Sequence, residues 1–273
     1  MEIEEPETDT GIPAIHGFPP IIAHKGGGSL APENTLLAIK TAQEFNVPAI
    51  EIDVMLASDD VPMLMHDKEL TRTTMDEEYN GVLMNSLTSS ELGTVDVGSY
   101  FNPDLIDVFV PTLEEVLEHC LENKVSMNIE IKPAKGEDEK TGRIVAETVA
   151  RYYYRLVKAG VEPVFSSFSK IALMAAKKEA AFIPRAYLIS KPLDQVNWQK
   201  HASEIEVVSV AANAVHITEE QVQEIILQGY SVLCYTVNDV DKAMELLDWG
   251  VSHICTDQID TFGPLSKQLL AER

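Results

Sequence analysis

Short apolar runs rich in Val and Ile alternate with helical stretches from about Pro20 to the end of the chain, and this alternation limits the possible folds most. The predicted strands are Ile21–His24, Ala49–Leu56, Met63–His66, Ser126–Ile131, Val164–Phe168, Arg185–Ile189, Val207–Ala211, Ser231–Val237 and His253–Cys255. Several show little polar alternation, as strands buried on both faces of a parallel sheet must. Helical patterns fall between them at Asn34–Phe45, Thr112–Glu122, Asp138–Lys158, Ser169–Lys178, Thr218–Gln228 and Asp239–Asp248. Thr112 with Glu115 and Thr218 with Gln221 have capping-box spacing, and Ser169 precedes an apolar run as an N-cap does. Gly229 and Gly250 stand where helices should stop. About eight strand–helix units in a chain of 273 residues predict a (β/α)8 TIM barrel, an α/β fold. A doubly wound sheet is the competing arrangement of the same elements. One extra strand after the second, and a turn-rich stretch from about Lys68 to Val110, predict a small insertion after the second barrel strand.

The expected organisation is an acidic disordered tail at residues 1–19 followed by one barrel domain at 20–273, with the insertion at about 68–110. Glu2, Glu4, Glu5, Glu7 and Asp9 crowd the first ten residues without a basic partner, unlike a secretory leader, so a cytoplasmic location is expected. The 44 acidic and 21 basic residues give a formal charge of −23, which argues against nucleic acid and anionic membranes as partners. No stretch reaches the roughly 18 apolar residues of a membrane span. Cys120, Cys234 and Cys255 are far apart in apolar surroundings, which fits reduced, buried thiols.

Polar residues gather at the C-terminal ends of the predicted strands, the end at which barrels build active sites. His24 ends the first strand and His66 the extra one. Glu51 and Asp53 lie two apart on the second strand, so both face one side of the sheet, and Glu130 and Lys132 repeat that spacing on a later strand. Carboxylates buried together in a barrel need a partner, and a divalent cation with oxygen ligands supplies one. Gly26-Gly27-Gly28 lacks Walker spacing and suits a tight turn after His24. Glu33 and Asn34 fall at a helix start, where capping and positioning are the expected roles, and Trp249 is expected in barrel packing.

Taken together, His24-Lys25-Gly26-Gly27-Gly28, Ala31-Pro32-Glu33-Asn34-Thr35, Glu51-Ile52-Asp53-Val54 and His66-Asp67-Lys68-Glu69-Leu70-Thr71-Arg72-Thr73 resemble the signature of the glycerophosphodiester phosphodiesterase family. Asn128-Ile129-Glu130-Ile131-Lys132-Pro133, Ser166-Ser167-Phe168, Tyr235-Thr236-Val237-Asn238 and Trp249-Gly250-Val251…Ile254-Cys255-Thr256-Asp257 extend the resemblance in the same order to about Asp260. The likeness is greatest to the cytosolic bacterial branch. It implies a barrel that hydrolyses glycerophosphodiesters such as glycerophosphocholine and glycerophosphoethanolamine to sn-glycerol 3-phosphate and an alcohol. It implies metal ligands at Glu51, Asp53 and Glu130, an acid/base pair at His24 and His66, and a substrate contact at Lys132. Lys25 stands where the family has Arg, which keeps a positive charge for the phosphate but loses the bidentate fork.

Hard carboxylate ligands suit Mg2+, Mn2+ or Ca2+. His24 is expected as the base and His66 as the acid, with either water or the glycerol 2-hydroxyl as nucleophile. The runner-up functions are cleavage of lysophospholipids or cyclic phosphodiesters, and a non-catalytic binding barrel. No apolar run between Lys68 and Val110 suggests a lipid groove.

Overall fold

A computed structural model describes residues 15–271 of the chain. The expected acidic tail falls mostly at residues 1–14, outside the described residues. The strands are β1 (Ile21–Ala23), β2 (Ala49–Leu56), β3 (Pro62–Leu64), β4 (Ser126–Ile131), β5 (Pro163–Ser167), β6 (Arg185–Ile189), β7 (Ser209–Asn213), β8 (Ser231–Tyr235) and β9 (His253–Thr256). All except β3 pair in parallel, and the pairing of Ala23 with Ile50 joins β1 to β2. That pair closes the sheet into an eight-stranded barrel and removes both edges, so the doubly wound alternative is excluded. β3 lies outside the ring as an antiparallel partner of β2.

Helices α1 (Leu36–Glu44), α3 (Leu113–Asn123), α4 (Asp138–Lys158), α5 (Lys170–Glu179), α6 (Trp198–Ile205), α7 (Glu219–Leu227), α8 (Val240–Asp248) and α9 (Ile259–Ala271) follow the barrel strands, with the short α2 (Ser89–Leu92) in the insertion. Thr112 and Thr218 form the capping boxes that their spacing predicted, and the Ser169 hydroxyl accepts from the Ala172 N–H. The sequence showed no sign of α6 or α9. Asn197, which precedes α6, provides no side-chain cap, and α9 carries Gly263-Pro264 inside it. Burial overrides those poor local signals, because Trp198, Ile205, Ile259 and Phe262 are all buried in the core.

Two cores follow from the two-residue period of each strand. Ile50, Ile52 and Val54 of β2, with Met127, Ile129 and Ile131 of β4, face outward against the helices. Ile22, Ala49, Val164, Ala186, Leu188, Ala211, Leu233 and Cys255 fill the barrel interior. Residues Glu51, Asp53, Asn128 and Glu130 alternate with the outward set and therefore point inward. Ile15 and Phe18, expected within the tail, instead join the interior cluster at 3% and 1% exposure. Their apolar bulk closes the barrel floor, so the ordered chain starts earlier than residue 20.

The insertion carries three 3-10 turns and a third cluster of its own, in which Leu70, Met84, Leu92 and Val95 pack on Met55 and Met63. Cys120, Cys234 and Cys255 are free and buried, as expected. Among the described residues no helix is long and apolar enough to cross a membrane.

Candidate active site

Register brings the acidic residues together. Asp53 lies opposite Glu130 and Glu51 opposite Asn128 across the β2–β4 ladder. Ligand oxygens of Glu51, Asp53 and Glu130 all lie within 4.8 Å of one another. Lys132 Nζ reaches over them, 3.1 Å from Asp53 Oδ1 and 3.7 Å from Glu130 Oε1. Asn34 holds Asp53 from the other side: its Nδ2 donates to Asp53 Oδ2 at 2.8 Å, and its Oδ1 accepts the Asp53 N–H at 2.9 Å.

Each histidine is anchored by a carboxylate. His24 Nδ1 is 2.6 Å from Asp257 Oδ1, and His66 Nδ1 is 2.6 Å from Asp67 Oδ1. An ionised carboxylate only accepts, so Nδ1 carries the proton in both rings and Nε2 is left for chemistry. His24 Nε2 is 3.9 Å from Glu51 Oε2, at the acidic cluster. Asp257 is itself held by Asn238, whose Nδ2 donates to Oδ2 at 2.9 Å and whose Oδ1 accepts the Asp257 N–H at 2.8 Å. Arg72 supports Asp67 from the insertion, donating from Nε at 2.6 Å.

The match to known proteins can be set beside this geometry. Residues 24–261 match the sequence profile of the Glycerophosphoryl diester phosphodiesterase family. The chain belongs to that family. It is thus an enzyme of the phosphodiesterase class. A glycerophosphodiester phosphodiesterase of Bacillus subtilis is 28% identical over 257 residues, covering 90% of this chain and 86% of the relative. A phosphodiesterase of Oleispira antarctica, solved with the product sn-glycerol-3-phosphate, superposes with a TM-score of 0.82 at 29% identity, over 92% of this chain and 97% of its own. A putative glycerophosphoryl diester phosphodiesterase of Silicibacter pomeroyi shares the fold at 24% identity and a TM-score of 0.75, over 96% of each chain.

Burial and mutual repulsion shape the charges of this phosphodiesterase. Burial first, and the neighbouring Asp53 charge second, push the Glu51 carboxyl up to about 7 and the Glu130 carboxyl up to about 8. For Asp53, burial acts in the same direction, but the Lys132 and His66 charges and the Asn34 hydrogen bond together outweigh it and hold this carboxyl below its usual range. Burial works against the charged form of His24, yet the Asp257 hydrogen bond and the Glu51 charge raise its affinity for a proton above the ordinary value. The three carboxylates form an oxygen-only donor set, buried and crowded, which fits a hard divalent cation.

The predicted site residues thus reach one end of the barrel, but Lys25 does not touch the acidic cluster with its side chain. Its N–H donates to Glu51 Oε2 at 2.9 Å, while its Nζ donates to Glu33 Oε1 at 3.2 Å. Glu33 also receives both guanidinium ends of Arg72, at 2.7 and 2.6 Å, so a chain of charges links Lys25 to Asp67 and His66. Sequence reasoning assigned no role to Asp257, Asn238, Asp67 or Arg72. The available signal was position: Asp67 adjoins His66, and Asp257 follows the last strand at the end where barrels place their chemistry.

Proposed function

We propose that this phosphodiesterase hydrolyses glycerophosphodiesters, among them glycerophosphocholine and glycerophosphoethanolamine, to sn-glycerol 3-phosphate and an alcohol. The observation that carries the reading is the trio Glu51, Asp53 and Glu130 with a carboxylate-anchored histidine, His24, facing it. Glu51, Asp53 and Glu130 would hold Mg2+, Mn2+ or Ca2+, and such an ion supplies Lewis-acid stabilisation of the phosphate charge. Lys132 adds positive charge beside the same oxygens. His24, with Nε2 free and its proton affinity raised, takes the proton from the nucleophile. His66, oriented by Asp67, gives a proton to the leaving alkoxide, and each transfer contributes about 10²–10⁴ in rate. Lys25 contributes long-range charge and keeps Glu33 from approaching the phosphate as an uncompensated anion.

The test is release of glycerol 3-phosphate from both diesters, with and without added Mg2+, Mn2+ or Ca2+. Metal-dependent release is expected, and full turnover in excess EDTA after dialysis would sink the cation assignment.

A second reading, cleavage of lysophospholipids, is favoured by one observation. Met75, Leu83, Phe101, Ile106 and Phe109 of the insertion are exposed although no continuous apolar run announces them. Turnover of lysophosphatidylcholine exceeding that of glycerophosphocholine would favour it over the first.

A further inference from the structure

His66 and Asp67 lie in a bend between β3 and the 3-10 turn Leu70–Arg72, so neither helix nor strand fixes them. Their side chains are 37% and 28% exposed, which leaves packing too loose to orient the pair. Arg72, at the end of the turn, supplies the missing constraint. Its Nε donates to Asp67 Oδ2 at 2.6 Å, which leaves Oδ1 for the His66 ring. Its two outer nitrogens donate to Glu33 Oε2 and Oε1 at 2.7 and 2.6 Å.

The far end of that fork is itself fixed. The Glu33 side chain is 14% exposed, and its Oε1 also accepts from Lys25 Nζ at 3.2 Å. The Glu33 N–H donates to the Tyr100 hydroxyl at 3.2 Å. Arg72 and Tyr100 both come from the insertion, which is thereby tied to the loop between β1 and α1. A lone exposed ion pair fixes little, but a planar guanidinium gripped on two sides has one geometry.

We propose that Arg72 is a positioning residue for protonation of the departing alcohol, holding Asp67 so that His66 is aimed at the leaving oxygen. The proposal rests on His66 acting as the acid in the reading above. Direction, and not charge, is what Arg72 supplies. Burial acts to raise the Asp67 carboxyl, but the Arg72 hydrogen bond first and the His66 hydrogen bond next hold it at about 2. An ordinary aspartate is already ionised at neutral pH, so loss of Arg72 removes the orientation and leaves the carboxylate. Lysine at this position keeps a positive charge and loses the fork.

The experiment compares two diesters that share the glycerol 3-phosphate arm, glycerophosphocholine and the p-nitrophenyl ester of glycerol 3-phosphate. The choline alkoxide needs a proton as it leaves, whereas p-nitrophenolate leaves without one. Arg72→Ala should lower kcat on glycerophosphocholine at least about tenfold, as a misaimed group does. On the p-nitrophenyl ester kcat should stay within about threefold, because no acid is called for. Arg72→Lys should follow Arg72→Ala, and it carries the comparison if thermal melts show the alanine variant unfolded. In a His66→Ala background Arg72→Ala should add no further loss on glycerophosphocholine, since the two act as a unit.

Equal slowing of both diesters overturns the proposal, because it marks general damage to the site. Wild-type kcat on glycerophosphocholine in either folded variant overturns it too. A further loss in the His66→Ala background gives Arg72 a role independent of His66 and overturns it as well. If His66→Ala itself slows both diesters alike, the acid role of His66 falls and the proposal with it, while phosphodiesterase activity stands. Failure of the wild type to cleave either diester, with metal present, removes the phosphodiesterase reading itself.

Discussion

Glu51 and Glu130 bind protons far more tightly than free carboxylates, up to about 7 and 8, because they are buried beside Asp53. The folded protein therefore holds more protons at these groups than the unfolded chain between about pH 4.5 and pH 8. In that window their contribution makes stability fall as pH rises. A bound divalent cation needs the ionised forms and reverses the effect. The gain in Tm on moving from EDTA to excess Mg2+ or Ca2+ should thus grow between pH 6 and pH 8.5, as thermal melts would read directly. A gain that is flat across that range would show that the cation binds elsewhere. The histidines give a second expectation at this scale. His24→Ala and His66→Ala should each lower kcat at least about a hundredfold while leaving the cation-induced Tm shift in place. The double variant should be little worse than the worse single one, because paired groups are not additive. Loss of the cation shift in His66→Ala would make His66 a ligand.

The loops after β1 and β9 meet at Gly28, and their contact sets the orientation of His24. Gly28 has φ +58°, and a Cβ added there would collide with the Asp257 carbonyl. Ser29 N–H donates to the same carbonyl at 2.8 Å, so the two loops are tied by backbone as well. Gly28→Ala should shift Asp257 away from His24 Nδ1, lowering kcat tenfold or more with a smaller change in KM. Steady-state kinetics with a crystal structure of the variant would check it, and unchanged kcat would mean that His24 does not depend on Asp257. The triglycine after His24 thus acts as a tight turn that permits loop-to-loop contact.

At the scale of the whole molecule the barrel separates stability from chemistry. Ile15 and Phe18 seal the floor, and Phe18 meets His253 edge-on at 5.6 Å. The carboxylates and histidines occupy the opposite, C-terminal face. Phe18→Ala should cost about 3–5 kcal/mol of stability as a large buried ring is removed. Its kcat well below the melting temperature should stay within about twofold, since no site residue rests on the ring. Chemical denaturation and kinetics on one preparation would test both halves, and a large fall in kcat would mean that the floor and the site are coupled.

The strand period and the order of elements were legible in the sequence because each depends on local alternation. β2, β4, β6 and α4 have the predicted bounds for that reason. The paired spacing of Glu51 with Asp53 and of Glu130 with Lys132 likewise fixed which side chains share a face. What local pattern does not contain is which strands meet. Closure of β1 on β2, the Asp53–Glu130 register and the burial of Ile15 and Phe18 all depend on contacts between distant segments. The same holds for the Asp257–His24 pair, separated by 233 positions, and for the Arg72–Glu33 pair, separated by 39. α6 and α9 form against weak local signals because burying Trp198 and Phe262 on the barrel outweighs missing caps and an internal proline. Residue types and spacing thus determined the kind of chemistry, and tertiary packing decided which neighbours orient it, because orientation is a property of contacts that no local stretch of chain encodes.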